Sequence, residues 1–349
     1  MTDDRSKQSA YAAAGVDIDA ANETLARMRE AIRSTYTPEV LSDVGSFGGL
    51  FSAAAFKDLS DPVLVASTDG VGTKTMVAAR LGRWEGIGRD LVNHCINDVL
   101  VQGARPLFFL DYVASAVLEP AVTAAVVDGI AAACREAGIA LLGGETAEMP
   151  GVYKSGQMDV VGTVVGVADR PTLITGERII AGDAVLALPS SGLHPNGYSL
   201  ARSALAAFDW TIPRDELGGA TIGEALLAMH RSYLPEINAL RAADIDIKGL
   251  AHITGGGIVE NLPRILPEGL GARLASAMWR TPPIFDLIAE AGSVPDDEMR
   301  RVFNLGGGML VVLPAGQAPV ALNTLAEDTG ATDPVLAGEI VSGEGVVIA

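Results

Sequence analysis

Asp69 heads the stretch VASTDGVGTK (65–74), which otherwise has the make-up of a phosphate loop. Gly70 and Gly72 let the backbone approach a ligand, Thr73 offers a hydroxyl and Lys74 a cation. A carboxylate repels the anion that such a loop would hold. A metal reconciles the two: Asp69 holds a divalent cation, and the cation holds the phosphates. The pattern G-x-x-x-x-G-K-[ST] occurs nowhere in the chain, and no G-x-G-x-x-G follows a strand-like run, so any phosphate site here is of uncommon design.

Further oxygen donors lie downstream. In GRDLVNHCINDVLVQG (88–103), helical spacing puts Asp90, Asn93, His94 and Asn97 on one stripe with Asp98 beside it. This is either a solvated helix face or a set of oxygens with a task; the absence of Lys, Arg and Glu from the stripe favours the second. Glu145 and Glu148 follow two glycines at the end of an apolar run, where ligands commonly sit, although a glycine turn with exposed glutamates reads the same way. Asp69, Asp98 and Glu145 together offer hard ligands from three elements, a set that suits Mg²⁺ with a nucleotide. No Cys/His spacing suits zinc. In PSSGLHPNGYSL (189–200), Ser191 and the residues before a helix starting near Gly197 can receive an anion. His194, beside Asn196, can move a proton or hydrogen-bond developing charge, or be merely structural. His252 opens HITGGG, where Gly255 and Gly256 form another candidate anion loop.

The elements that must position these residues alternate. Helices are expected at 23–35, 88–103, 119–137, 221–242 and from Ile258 to about Leu266. Strands are expected at 63–67, 106–115, 159–168, in the apolar run before Gly143, and in FNLGGGMLVVLP and the terminal VVIA. AGVDIDAAN (14–22) reads as a turn. Turn signals and short strands over 169–182 mark a boundary, giving domains 1–171 and 172–349, each mixing helix and strand: an α/β or α+β protein.

The net charge, 25 − 43 = −18, excludes nucleic acid and anionic membranes as partners. It also means that an anionic substrate needs locally supplied positive charge, and lysine is confined to Lys7, Lys57, Lys74, Lys154 and Lys248. No apolar run is long enough for a membrane span and no signal peptide is present, so a cytoplasmic protein is expected, with Cys95 and Cys134 as buried reduced thiols.

In order along the chain, AGVDIDAAN, STDGVGTK, NDVLVQGARPLFFLDY, GGETAEMPGVY, SSGLHPNGYSL, HITGGGIVENLPRILP and FNLGGGM closely resemble the phosphoribosylformylglycinamidine cyclo-ligases (aminoimidazole ribonucleotide synthetases), from about residue 11 to 313. The resemblance implies a cytosolic homodimer whose N-terminal α/β domain pairs with its mate in a barrel-like sheet, with the site in the cleft between domains. It implies ATP and Mg²⁺ as cofactors and formylglycinamidine ribonucleotide as substrate. ATP phosphorylates the amide oxygen, the neighbouring amine attacks the activated carbon, and phosphate leaves as the imidazole closes. Asp69, Asp98 and Glu145 are then expected to hold Mg²⁺ with Asn97 assisting, Lys74 to contact phosphate, His194 to move a proton beside Asn196, and the 255–257 loop to take the ribose phosphate. Two departures stand out: Arg27 and Arg29 occupy an N-terminal segment where members of the family can carry a lysine associated with the ATP site, and Pro195 replaces an expected serine. Selenophosphate synthetase, thiamine-monophosphate kinase and the hydrogenase-maturation dehydratase share the scaffold. The first usually has a reactive Cys near its start, and no Cys precedes Cys95 here; the second is not expected to share GGETAEMPG and SSGLHPNG together. A non-catalytic homologue should have lost a carboxylate.

Overall fold

A computed structural model describes residues 18–328 and 333–349. Helix α1 (Ile18–Arg33) leads through a long loop to β1 (Pro62–Gly70), α2 (Lys74–Leu81), α3 (Ile87–Leu100), β2 (Arg105–Ser115), α4 (Pro120–Ala137), β3 (Ala140–Glu148) and β4 (Met158–Asp169). The turn expected at 14–22 lies partly outside the described residues, and from Ile18 onward the chain is helical. The four strands form one sheet in the order β1-β4-β2-β3, in which only β2 and β3 run parallel. Side chains alternate across it: Val63, Val65, Ser67 and Asp69 of β1 turn toward the helices, while Leu64, Ala66 and Thr68 are exposed on the other face.

Helices α3 and α4 cover the inner face, and both are built for close approach. A Cβ on Gly88 would come within 2.0 Å of the Val126 carbonyl oxygen, so only glycine lets the two helices cross there. Pro120 opens α4 within its first turn and Gly138, at φ 68°, closes it.

The second half comprises β5 (Ala184–Pro189), α5 (Tyr198–Ala204), α6 (Ile222–Leu226), α7 (Leu234–Ala242), β6 (Gly249–His252), α8 (Gly257–Asn261), β7 (Leu270–Leu274), α9 (Pro283–Gly292), α10 (Asp296–Val302), β8 (Gly307–Leu313), α11 (Ala318–Asp328), β9 (Val335–Ser342) and β10 (Gly345–Ile348). Its six-stranded sheet has the order β10-β7-β9-β5-β8-β6. The molecule is thus a mixed α/β protein with two sheets, and the position 171/172 falls between them.

Two expectations need correction. The helix expected at 221–242 is two helices, α6 and α7, separated by an extended segment. Pro235 sits in the first turn of α7, where its missing N–H is harmless, whereas a continuous helix would have needed it. The short strands expected over 169–182 are absent from the described residues; a single 3₁₀ turn, Arg170–Thr172, and loops connect the sheets.

Candidate active site between the two sheets

The stripe on α3 is not a solvated face. Asp90, Asn93, His94 and Asn97 are all buried, and three of them grip the segment between α6 and α7. The Asp90 carboxylate accepts the His230 amide (2.7 Å), Asn93 Nδ2 donates to the His230 carbonyl (2.7 Å), and Asn97 Nδ2 donates to the Arg231 carbonyl (3.0 Å). Asn97 Oδ1 accepts the Tyr233 amide at 2.9 Å. These bonds leave the segment's backbone groups satisfied without helix, which is why it can stay extended inside the protein.

The segment carries His230 to the other three histidines. All four histidines of the chain converge here. Ring centroids lie 4.0 Å apart for His194 and His230, and 5.1 Å for His94 and His252. The hydrogen bonds fix the tautomers. His94 Nε2–H donates to Asp69 Oδ2 (2.7 Å), and His252 Nδ1–H donates to Asp98 Oδ1 (2.8 Å). His194 Nδ1–H donates to the Ile253 carbonyl (2.7 Å). Asn97 Nδ2 donates to His230 Nε2 (3.1 Å), so His230 carries its proton on Nδ1. Burial drives His194 and His230 well below the ordinary histidine range, and neighbouring imidazoles add to this.

Asp69 and Asp98 are therefore each set on a buried imidazole while remaining partly open to solvent, with side chains 41% and 31% exposed. Burial pushes both carboxyls up, but the hydrogen bond and charge of His94 (for Asp69) and of His252 (for Asp98) outweigh it. Both end below the usual carboxylate range. Asp69, His94 and Asp98 each bring a ligand atom within 4.8 Å of one another. Two ionised, oriented carboxylates with open sides fit a magnesium ion that keeps several waters. His94, His230 and His252 also come within 4.8 Å, but the His230 lone pair already accepts from Asn97, so they form no ready zinc site.

The loop after β1 meets the loop after β5. A Cβ on Gly72 would lie 3.6 Å from the Pro195 oxygen, and the Thr73 and Ser199 hydroxyls are 3.3 Å apart. Gly70 donates its amide to Asp69 Oδ1 at 2.7 Å. Ser191 Oγ donates to the Met229 carbonyl. Asn196 keeps a buried Oδ1 without a partner and approaches Gly255; Gly256 adopts φ 96° before the short α8.

Two sequence expectations fail within the chain. Lys74 is fully buried: Nζ pairs with Asp90 Oδ2 at 2.6 Å and donates to the Ala228 carbonyl at 2.7 Å. It fastens the 228–230 segment rather than standing free for phosphate. Glu145 does not join Asp69 and Asp98. It pairs with Tyr112 on β2, which pairs with Val161 on β4, which pairs with Gly70 on β1. At ~4.8 Å per strand it is about 14 Å from Asp69, far beyond the ~2.1 Å bonds of one ion. Strand order, which the local sequence does not encode, keeps these two strand ends apart.

Glu145 lines a separate cavity of about 560 Å³ between α1, the loop Ser42–Gly49 and β3. This cavity, Asp111 in its wall and the convergence of His230 with His252 are not among the expectations from sequence. The signals were present: glycines in SDVGSFGGLF, and one carboxylate inside the apolar run PLFFLDYVAS. Cys95 and Cys134 are free and buried. Among the described residues no helix is long and apolar enough to cross a membrane.

Residues 52–168 match the N-terminal domain of AIR synthase related proteins, and residues 181–349 match the C-terminal domain of the same family. A protein of Synechococcus sp. (strain RCC307) named phosphoribosylformylglycinamidine cyclo-ligase is 47% identical over 97% of this chain and 98% of its own. A protein of the same name from Sorangium cellulosum (strain So ce56) is 50% identical over 95% of each chain. Among solved structures, thiamine-monophosphate kinase from Stenotrophomonas maltophilia K279a superposes with TM-score 0.67 at 20% identity, over 93% of this chain and 95% of that one. HypE, a hydrogenase maturation protein, was solved in complex with ATP; it gives 0.62 at 21% identity over 89% and 84%. These structures share the fold.

Proposed function

The chain belongs to the phosphoribosylformylglycinamidine cyclo-ligase family of AIR synthase related proteins, and we propose that its junction of Asp69, Asp98 and four histidines is the reacting centre of that family's ring closure. The enzyme converts formylglycinamidine ribonucleotide and ATP into aminoimidazole ribonucleotide, ADP and phosphate. An amide oxygen is a poor leaving group. Transfer of the terminal phosphoryl group to it breaks the bond to ADP and makes a phosphate ester. The neighbouring amine nitrogen then attacks the carbon, the C–O bond breaks, phosphate departs and the nitrogen loses a proton.

The protein's part in such a transfer is positioning and charge neutralisation. One observation carries the reading: Asp69 and Asp98 are brought side by side, ionised and partly open, at the junction of the two sheets. They would hold Mg²⁺, which supplies the positive charge that a triphosphate needs. The side chains leave few other sources. Lys74 is bound to Asp90, and among the described residues no lysine or arginine lines the large cavity. That cavity is of nucleotide size, so it takes ATP, with Glu145 meeting a second cation. The ~14 Å between Glu145 and Asp69 is a span that an extended nucleoside triphosphate covers. Gly70, Gly72 and Thr73 face Ser191, Asn196, Gly255 and Gly256 across the junction and close around the phosphate-bearing substrate. His194, neutral and with Nδ1–H fixed on Ile253, has its Nε2 3.4 Å from the buried Tyr233 hydroxyl and would receive the amine proton there.

The exposed outer face of the four-stranded sheet, where Leu64 is 62% exposed, is the surface that a second copy covers in a cytoplasmic homodimer. The test of the function is direct: with formylglycinamidine ribonucleotide and Mg-ATP, the aminoimidazole product and ADP form in equal amounts. Formation of ADP without the aminoimidazole would refute it.

A further inference from the structure

We propose, building on the placement of ATP in the large cavity, that Asp111 reads the nucleotide's base: its carboxyl group pairs with the amino and ring-nitrogen edge of adenine. Asp111 lies inside β2 and in the cavity wall. Among the described residues, no other side chain donates a hydrogen bond to its carboxyl, and no lysine or arginine lines the cavity. The surroundings are apolar: Met28 and Ile32 of α1, Val127 of α4, and Leu110, Leu141 and Leu142 of the sheet. A flat heterocycle suits such walls, and a triphosphate does not. The opposite strand makes room for the carboxyl, because a Cβ on Gly144 would come within 2.2 Å of Asp111 Oδ1. Alanine there would fill the space that Asp111 occupies.

The chemistry of the pair is specific. A carboxylic acid has one donor and one acceptor side by side, and adenine has an acceptor ring nitrogen beside a donor amino group. The acid O–H donates to the ring nitrogen, and the carbonyl oxygen accepts from the amino group. Burial pushes the Asp111 carboxyl up to about 7, so the acid form is present at neutral pH. The titratable groups around it do not reverse this. Cys134 on α4 is a buried neutral thiol, Tyr36 and Glu145 lie around the cavity, and Arg33 of α1, next in sequence to the lining residue Ile32, is taken up by Asp43.

The experiment compares binding of ATP with that of the 6-deamino analogue, purine riboside triphosphate, both with Mg²⁺, by calorimetry. In parallel, photolabelling with 8-azido-ATP maps the site. Wild type is expected to prefer ATP roughly tenfold, the worth of one buried hydrogen bond. Asp111→Ala should lose that preference. Asp111→Asn, whose amide also offers a donor and an acceptor, should keep it. Affinity of wild type for ATP should fall as pH rises through about 7, and that of Asp111→Asn should not. Labels in α1 or β3 with an unchanged preference in Asp111→Ala would overturn the base-reading role and leave the nucleotide site standing. Labels elsewhere would overturn both. Should Asp111→Ala fail to fold, the pH profile of Asp111→Asn decides: a profile identical to wild type overturns the proposal.

Discussion

At the residue scale, the chemistry lies in pairs rather than single side chains. Asp69 and Asp98 stood out in the sequence as a carboxylate at the head of a glycine loop and another on an Asn-rich helix, and the fold brings them together. Lys74 was misread because a lysine beside glycines looks exposed; its partner Asp90 lies 16 residues on, and only the fold brings them together. His194 was legible, and its company of three further imidazoles was not, since they come from α3, the α6–α7 segment and β6. His194→Ala should lower kcat about 10²-fold, the usual worth of a proton-transfer group, with little change in the KM for ATP. Steady-state assays check this, and an unchanged kcat would remove His194 from the chemistry.

At the scale of elements, α3 joins the two halves. Its inner side packs on the four-stranded sheet, where Cys95 Sγ lies 3.6 Å from the Gly162 carbonyl, and its polar stripe binds residues 228–233. Removing Asn97 leaves the Tyr233 amide and the Arg231 carbonyl unpaired in the interior. Asn97→Ala should therefore cost about 2–4 kcal/mol, taking ~1–3 kcal/mol for each buried group left without a partner and allowing for partial relaxation. Denaturant titration checks this, and a cost near zero would mean the segment is held by other contacts. Lys74→Met should cost about 3–5 kcal/mol, because it strands the Asp90 charge in a dry site. Strands and long helices were readable from their apolar periods. The α6–α7 break was readable only in part: Pro235 marks the start of the second helix, but the side chains that hold the intervening segment lie more than 130 residues away along the chain.

At the scale of the whole molecule, pH acts through the buried imidazoles. His194, His230 and His252 have folded-state values below 6.5, chiefly through burial. The unfolded chain therefore binds more protons than the folded one as pH falls below 6.5. Through these three groups stability declines beneath that value; Asp111, raised by burial to about 7, acts in the opposite sense as one group against three. Asp69 and Asp98, held below 3.8 by their hydrogen bonds from His94 and His252, add a loss at still lower pH. Thermal midpoints measured from pH 8 to pH 5 should drop, and a flat profile would contradict the burial of neutral histidines. Sedimentation should give a dimer, since the outer face of the four-stranded sheet is otherwise left bare; an active monomer would contradict that assignment. The −18 charge was legible from composition and made a cation necessary. Strand order, which separates Glu145 from Asp69, was not, because neighbours in a sheet need not be neighbours in sequence.

The central claim is that two carboxylates from different elements hold the cation that lets a triphosphate react in an acidic protein. The most direct test is formation of the aminoimidazole product by Asp98→Asn at saturating Mg-ATP, on protein shown by circular dichroism to be folded. The account predicts a loss of at least ~10²-fold, the scale of removing one preorganised electrostatic partner. Turnover equal to wild type would contradict it.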